Sequence, residues 1–157
     1  MTPTEDITLY LDREEVAYEL IPHRHTETAN EEAVAVGVPP EEIAKTVILA
    51  SDHHGYVRAV IPASERLDLH KVRHVLGLPD ELRLATEAEL AAAYPGFELG
   101  AVPPFGGPGG DRTVVDRRLA KRDTVVLEAG SHDESVRMKS TDLLVTAMAL
   151  VGDISHD

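Results

Sequence analysis

Apolar and polar positions alternate along this chain in short blocks that change period. Apolar runs consistent with strands fall at 16–21, 45–51, 56–62, 82–85, 112–116, 124–129 and 134–139. Between them, helices are expected over about 4–14, 29–36, 69–76, 87–94 and 141–149. Their starts are well marked. Thr2-Pro3-Thr4-Glu5, Thr28-Ala29-Asn30-Glu31 and Thr86-Glu87-Ala88-Glu89 place a hydroxyl at the cap and a carboxylate three residues on. Asp68 can cap the helix over 69–76, and Ser140 or Thr141 the last one. Gly37 and Gly77 stand where left-handed caps would end helices. "SDHHGY" and "EAGSHDES" read as hairpin turns. Helices mixed with hairpins favour an α+β fold with a mixed sheet over a strict parallel repeat.

The 157 residues suit one domain with a core of its own, expected over 1–152, with 153–157 as a fraying tail. No apolar run approaches the ~18 residues of a membrane span. The acidic start "MTPTEDITLYLDREE" lacks the basic flank and apolar run of a signal peptide. The chain has no cysteine, which excludes disulfides, thiolate nucleophiles and cysteine zinc sites and fits a cytoplasmic protein. The net charge of −13 repels a polyanion at long range, so any nucleic-acid contact has to be local. The basic run "RRLAKR", Arg117 to Arg122, reads as a solvated turn rather than an RNA patch.

The chemistry-bearing residues are sparse. His70 and His74 share a helix face, but Lys71 occupies the place of the glutamate a zinc protease needs, and His23/His25 and His53/His54 are ordinary surface pairs; no metal or cofactor is expected. No nucleophile elbow supports a serine triad. "FGGPGGD" is neither a P-loop nor a dinucleotide fingerprint, and Gly107 to Gly110 read as a flexible hairpin tip. The preceding "LGAVPPFG", Leu99 to Gly106, combines glycines that admit close approach with prolines that pre-set the shape. It reads equally as a structural turn or as a loop whose N–H groups at Gly100 and Ala101 hold a carbonyl or ribose. Lys45 stands at the mouth of the apolar strand 45–51. It is either a snorkelling edge residue or a cation fixed at a pocket rim.

Taken together, "HRHTETANEEAVAVGVPPEEIAKTVILA", "LDLHKVRHVLGL", "ELGAVPPFG", "TVVDRRL" and "LEAGSHDESVRMKSTDLL" resemble, in order and spacing, the YbaK/prolyl-tRNA-synthetase-associated editing domains over roughly residues 16–150. The resemblance implies a barrel-like mixed sheet wrapped by helices. It also implies trans-editing, the hydrolysis of the ester of a mischarged tRNA carrying a small wrong amino acid. Lys45 matches the family lysine that meets the terminal adenosine and phosphate. Gly100 matches the loop gripping the aminoacyl end, which implies substrate contacts from Ala101, Val102, Pro103, Pro104, Phe105 and Gly106. Gly130, Ser131 and His132 fall near a pocket histidine of synthetase-embedded members. Thr46 and Asp116 match structural positions beside the site. The resemblance implies an aminoacyl-tRNA acceptor end as partner and admits a synthetase as a second, with no membrane and no DNA. The chain departs from some cysteine-clearing members, which carry a second glycine and a small hydroxyl where Ala101 and Pro103 stand. An aminoacyl ester is already activated, so positioning, a placed water and oxyanion donors can suffice for hydrolysis; in the family the water is aided by the substrate's own ribose hydroxyl. The rival readings are a non-catalytic module of the same fold, binding tRNA ends or a synthetase, and an unrelated metal-dependent hydrolase using the histidines.

Overall fold

The computed structural model describes residues 2–106 and 111–157. The hairpin tip expected at 107–110 lies outside the described residues. Helices α1 (Pro3–Arg13), α2 (Ala29–Val36), α3 (Leu69–Leu76) and α4 (Glu87–Ala93) start where the sequence marks them. Thr2 and Thr86 form full capping boxes with Glu5 and Glu89. Asp68 accepts from the backbone N–H groups of His70 and Lys71. Gly37 and Gly77 end their helices at φ 84° and 65°.

The strands are β1 (Tyr18–Pro22), β2 (Ala44–Ser51), β3 (Gly55–Pro62), β4 (Arg83–Leu84), β5 (Arg112–Asp116), β6 (Thr124–Glu128), β7 (Glu134–Lys139) and β8 (Leu150–Gly152). They form two sheets, β1-β7-β6 and β4-β2-β3-β5-β8. The three-stranded sheet is antiparallel. The five-stranded one is mixed, because β5 runs parallel to both β3 and β8. A single parallel bridge, Ile43 to Val126, joins the two sheets, so the barrel-like wrap is not closed. The architecture is α+β.

Both expected hairpins form: Ser51 pairs with Gly55 across the first turn, and Glu128 with Ser135 across the second. The largest core cluster gathers Ile7 and Leu11 of α1, Val60, Val115, Val125, Leu127, Val136, Met138 and Leu143. A second lies under α3, with Leu49, Val57, Ile61, Val72, Leu76 and Ile154.

The C-terminal third departs from expectation. Helix α5 (Arg117–Ala120) precedes β6, and α6 (Ser140–Thr146) is shorter than the pattern suggests and lacks a side-chain cap. Ser140 turns its hydroxyl to the Arg122 carbonyl instead. Met148 then takes a left-handed φ of 50°, and the chain enters β8. The tail is packed, not frayed. Ile154 and Ser155 are fully buried. The Ile154 N–H and Ser155 hydroxyl donate to Asp116 Oδ2 at 3.2 and 2.8 Å. A short polar segment can be held this way once a buried carboxylate satisfies its donors. The arginines of the run 117–122 are paired with carboxylates, Arg117 and Arg118 facing Asp153 and Arg122 facing Glu42.

Candidate functional site

A cavity of about 670 Å³ opens between the mouth of β2, the start of α2, the end of β6 and the loop before β5. Residues 44–48 form one wall, and Gly100 and Val102 reach it from the loop. Leu67, Leu69, Leu84, Ala85 and Leu90 supply an apolar wall, while Glu27, Glu32 and Glu128 supply carboxyl groups. Lys45 and Arg66 also line it, and Lys45 is exposed. The lysine ion pairs among the described residues belong to Lys71, and no carboxylate lies within ion-pair distance of the Lys45 ammonium. A free cation beside a cavity suits a phosphate or a carbonyl oxygen.

Lys45, Thr46, Gly100 and Val102 therefore share one cavity. The remaining expected contacts are not among its lining residues. Ala101 and Phe105 are buried, and Phe105 stacks on Tyr10 at 5.7 Å within the main core. Pro103 and Pro104 offer their carbonyls inward, to Arg58 and to the Thr113 hydroxyl. Gly130 serves packing: at φ 87°, an added Cβ would meet Phe97 Cδ1 at 2.7 Å and Pro3 Cβ at 3.0 Å. Ser131 lies 3.4 Å from the Thr4 hydroxyl. Asp116 ends β5, one residue past the Val60–Val115 pair, and holds the C-terminal segment through Ile154 and Ser155.

His132 stands behind the loop. Its Nε2 lies 2.6 Å from the Leu99 carbonyl, and a carbonyl only accepts, so Nε2 carries the proton. The ring packs on Gly100, whose φ of 82° needs glycine and whose added Cβ would lie 3.5 Å from His132 Cε1. On its other side, Nδ1 is 2.8 Å from Glu128 Oε2. That is ion-pair distance, but the approach is out of line, and neither atom makes a hydrogen bond among the described residues.

Three features escaped the sequence reading. The first is Arg58, a buried cation on β3. Its guanidinium donates to the Pro103 carbonyl at 2.8 Å and the Gly106 carbonyl at 2.7 Å, and lies 5.1 Å from the Tyr94 ring centre. It clamps the loop that brings Gly100 to the cavity. An arginine inside the apolar run "YVRAVIP" was the available signal. The second is Glu32, 1% exposed, which accepts from the Ser135 hydroxyl. It occupies the inward i+3 position after Ala29 on α2, a charged residue in an apolar stripe. The third is Glu128, where the apolar run of β6 ends.

Burial holds the Glu32 carboxyl up at about 7, against the lowering effect of the Ser135 hydrogen bond. Burial also lifts Glu128 to about 9, helped by the charges of Glu32, Glu98 and Glu27. A carboxyl whose pKa rises on folding stabilises the fold fully below its unfolded value and loses that contribution as pH climbs through the folded value. For Glu32 the window runs from 4.5 to about 7. Across it, Glu32→Gln is expected to gain about 3 kcal/mol on the wild type, because the amide keeps the Ser135 bond and never ionises. Urea unfolding at pH 5 and pH 8 checks this. A difference between the two proteins that does not change with pH would show that Glu32 does not titrate there.

Among the described residues, no three His, Asp or Glu side chains are grouped to hold a metal ion, and no helix is long and apolar enough to cross a membrane.

Comparison with known proteins identifies the fold and the family. The chain is similar to a solved structure of a hypothetical protein, at 28% identity and a TM-score of 0.87, with 96% of this chain and 99% of that one covered. It is similar to a proposed trans-editing enzyme for prolyl tRNA synthetase, at 26% identity and a TM-score of 0.86 over 100% and 99% of the two chains. An epitope-grafted designed scaffold shares the fold at 24% identity and a TM-score of 0.85, over 100% and 99%. Among curated proteins, none matches the sequence. The aminoacyl-tRNA editing domain matches residues 23–145, which is most of the sequence and includes every residue lining the cavity, and the chain belongs to that family.

Proposed function

We propose that this protein is a trans-acting deacylase that hydrolyses the ester of a mischarged tRNA, with the cavity as its active site. The observation that supports this most directly is the meeting of an unpaired Lys45 with a clamped Gly100 loop on one cavity of about 670 Å³. Lys45, and Arg66 beside it, offer cations to the terminal phosphate and ribose of the acceptor end. The apolar wall takes the adenine. The backbone around Gly100, held by His132 and Arg58, faces the ester and supplies fixed dipoles where the oxyanion forms. A water attacks the ester carbonyl, aided by the neighbouring ribose hydroxyl. The carbon–oxygen ester bond breaks, and the free amino acid and the tRNA 3′ terminus leave.

The substrates we expect are tRNAs, tRNA-Pro among them, carrying a small wrong amino acid. The negative charge of the whole chain confines contact to the acceptor end, and a synthetase would supply the rest of the grip on the tRNA.

The test is deacylation of tRNAs charged with Ala, Cys, Ser, Thr and Pro, by wild type and Lys45→Ala in parallel. One ester is expected to turn over, and the variant to lose roughly 10- to 100-fold in kcat/KM, the worth of a charge-assisted phosphate contact. Intact esters throughout would overturn the deacylase reading. Retention of tRNA ends on a filter without turnover would favour the binding-module alternative.

A further inference from the structure

The cavity holds more acid than a neutral ester on an anionic nucleic acid calls for. Glu32 comes from α2, Glu128 from the end of β6 and Glu27 from the segment before α2; all three line it. Phosphates would be repelled here, so this group of carboxyls does not serve the RNA backbone.

A second observation marks these groups as awaiting a donor. Glu128 Oε2 is buried without a hydrogen bond, and so is the Thr46 hydroxyl, on a residue that also lines the cavity. Leaving such an atom unsatisfied costs about 1–3 kcal/mol, more for a charged group. The charges that bear on Glu128 are those of Glu32, Glu98 and Glu27. Its nearest basic neighbour, His132, faces it with Nδ1 at 2.8 Å, out of line for a hydrogen bond, while Nε2 donates to the Leu99 carbonyl. The other groups around this cluster are also engaged. Glu98 accepts from the His132 backbone N–H, His25 is held between Glu27 and Asp133, and His23 faces Ser135. Lys45 and Arg66 line the same cavity, but among the described residues neither reaches ion-pair distance of Glu32 or Glu128.

An aminoacyl ester brings the missing group. Its α-ammonium has three donors and a full positive charge, and it is attached one carbon from the carbonyl that the Gly100 loop would hold. We propose that Glu32 and Glu128 form the seat of the substrate's α-ammonium, so that the protein acts on esters with a free amine and rejects those whose amine is acylated. This rests on the deacylase reading for its catalytic test, though the seat itself does not require turnover. Burial raises the pKa of both carboxyls, and a cation placed against them would draw them back toward the ionised form. Selectivity of this kind would spare N-formylated initiator tRNA and peptidyl-tRNA, whose amines carry no charge.

The experiment pairs each charged tRNA of the panel with its N-acetylated form. Wild type is expected to prefer the free amine by about 100-fold or more in kcat/KM, the scale of a buried charge pair. Glu32→Gln and Glu128→Gln, each a neutral isostere, are expected to shrink that preference to within several-fold while remaining folded by thermal melt. Equal hydrolysis of acetylated and free esters, or an undiminished preference in both variants, would overturn the proposal. A binding arm separates this from failure of the deacylase reading. The non-hydrolysable amide 3′-alanylamino-3′-deoxyadenosine and its N-acetyl derivative are titrated calorimetrically into wild type and Glu128→Gln. Tighter binding of the free amine, lost in the variant, supports the seat even where no ester turns over. Equal binding of the two compounds, or of neither, overturns it.

Discussion

Arg58→Met is expected to cost about 3 kcal/mol or more of stability and, where the variant is still folded, to cut ester hydrolysis roughly 100-fold. Methionine fills much of the same space but donates nothing. The Pro103 and Gly106 carbonyls then lose a charged donor at 2.8 and 2.7 Å, and one side of the Tyr94 ring loses its cation. Burial magnifies the loss: Arg58 is 3% exposed, and water has little access to replace it. The activity effect is indirect. Arg58 positions the loop from its inner side, while Gly100 and Val102 meet the cavity from the outer side. Urea unfolding and kcat/KM on the best ester, measured well below the variant's melting temperature, separate the two effects. A variant that is destabilised yet fully active per folded molecule would show that the loop keeps its shape through its prolines alone.

Asp116→Ala is expected to cost a similar amount, about 3 kcal/mol, lowering the melting temperature by roughly 10 °C. The side chain is fully buried and accepts from the Arg118 N–H at 2.8 Å, the Ile154 N–H at 3.2 Å and the Ser155 hydroxyl at 2.8 Å. Removing it orphans three donors at once. The consequence extends to the cavity, because Ser155 bridges to Leu67, and Leu67 and Leu69 form part of the apolar wall. The variant is therefore expected to raise KM more than it lowers kcat. A loss under about 1 kcal/mol would mean that water takes the carboxylate's place.

Much of the fold was legible because it is written in local terms. Capping hydroxyls, left-handed glycines and hairpin turns act within a few residues, so Thr2, Asp68, Gly77 and the turn before Gly55 behave as their types require. Where long-range contacts compete, the local reading failed. Ser140 looked like a cap, yet its hydroxyl found the Arg122 carbonyl, and the polar tail 153–157 looked free, yet Asp116 captured it.

The site divides the same way. Lys45 and Gly100 announce themselves by residue type, an isolated cation at a strand mouth and a glycine in a proline-set loop. Their sharing of one cavity depends on β2 and the loop folding back through β3, where Arg58 grips the loop from within. Whether Pro103 faces a ligand or the core is set by which of its sides Arg58 occupies, and no local pattern encodes that. Glu32 and Glu128 show the limit most clearly. In the chain, each of these two carboxyls interrupts or ends an apolar segment. That both line one cavity, Glu32 against the Ser135 hydroxyl and Glu128 against His132, is a product of packing, since desolvation and charge pairing are properties of the packed interior and not of any segment of chain.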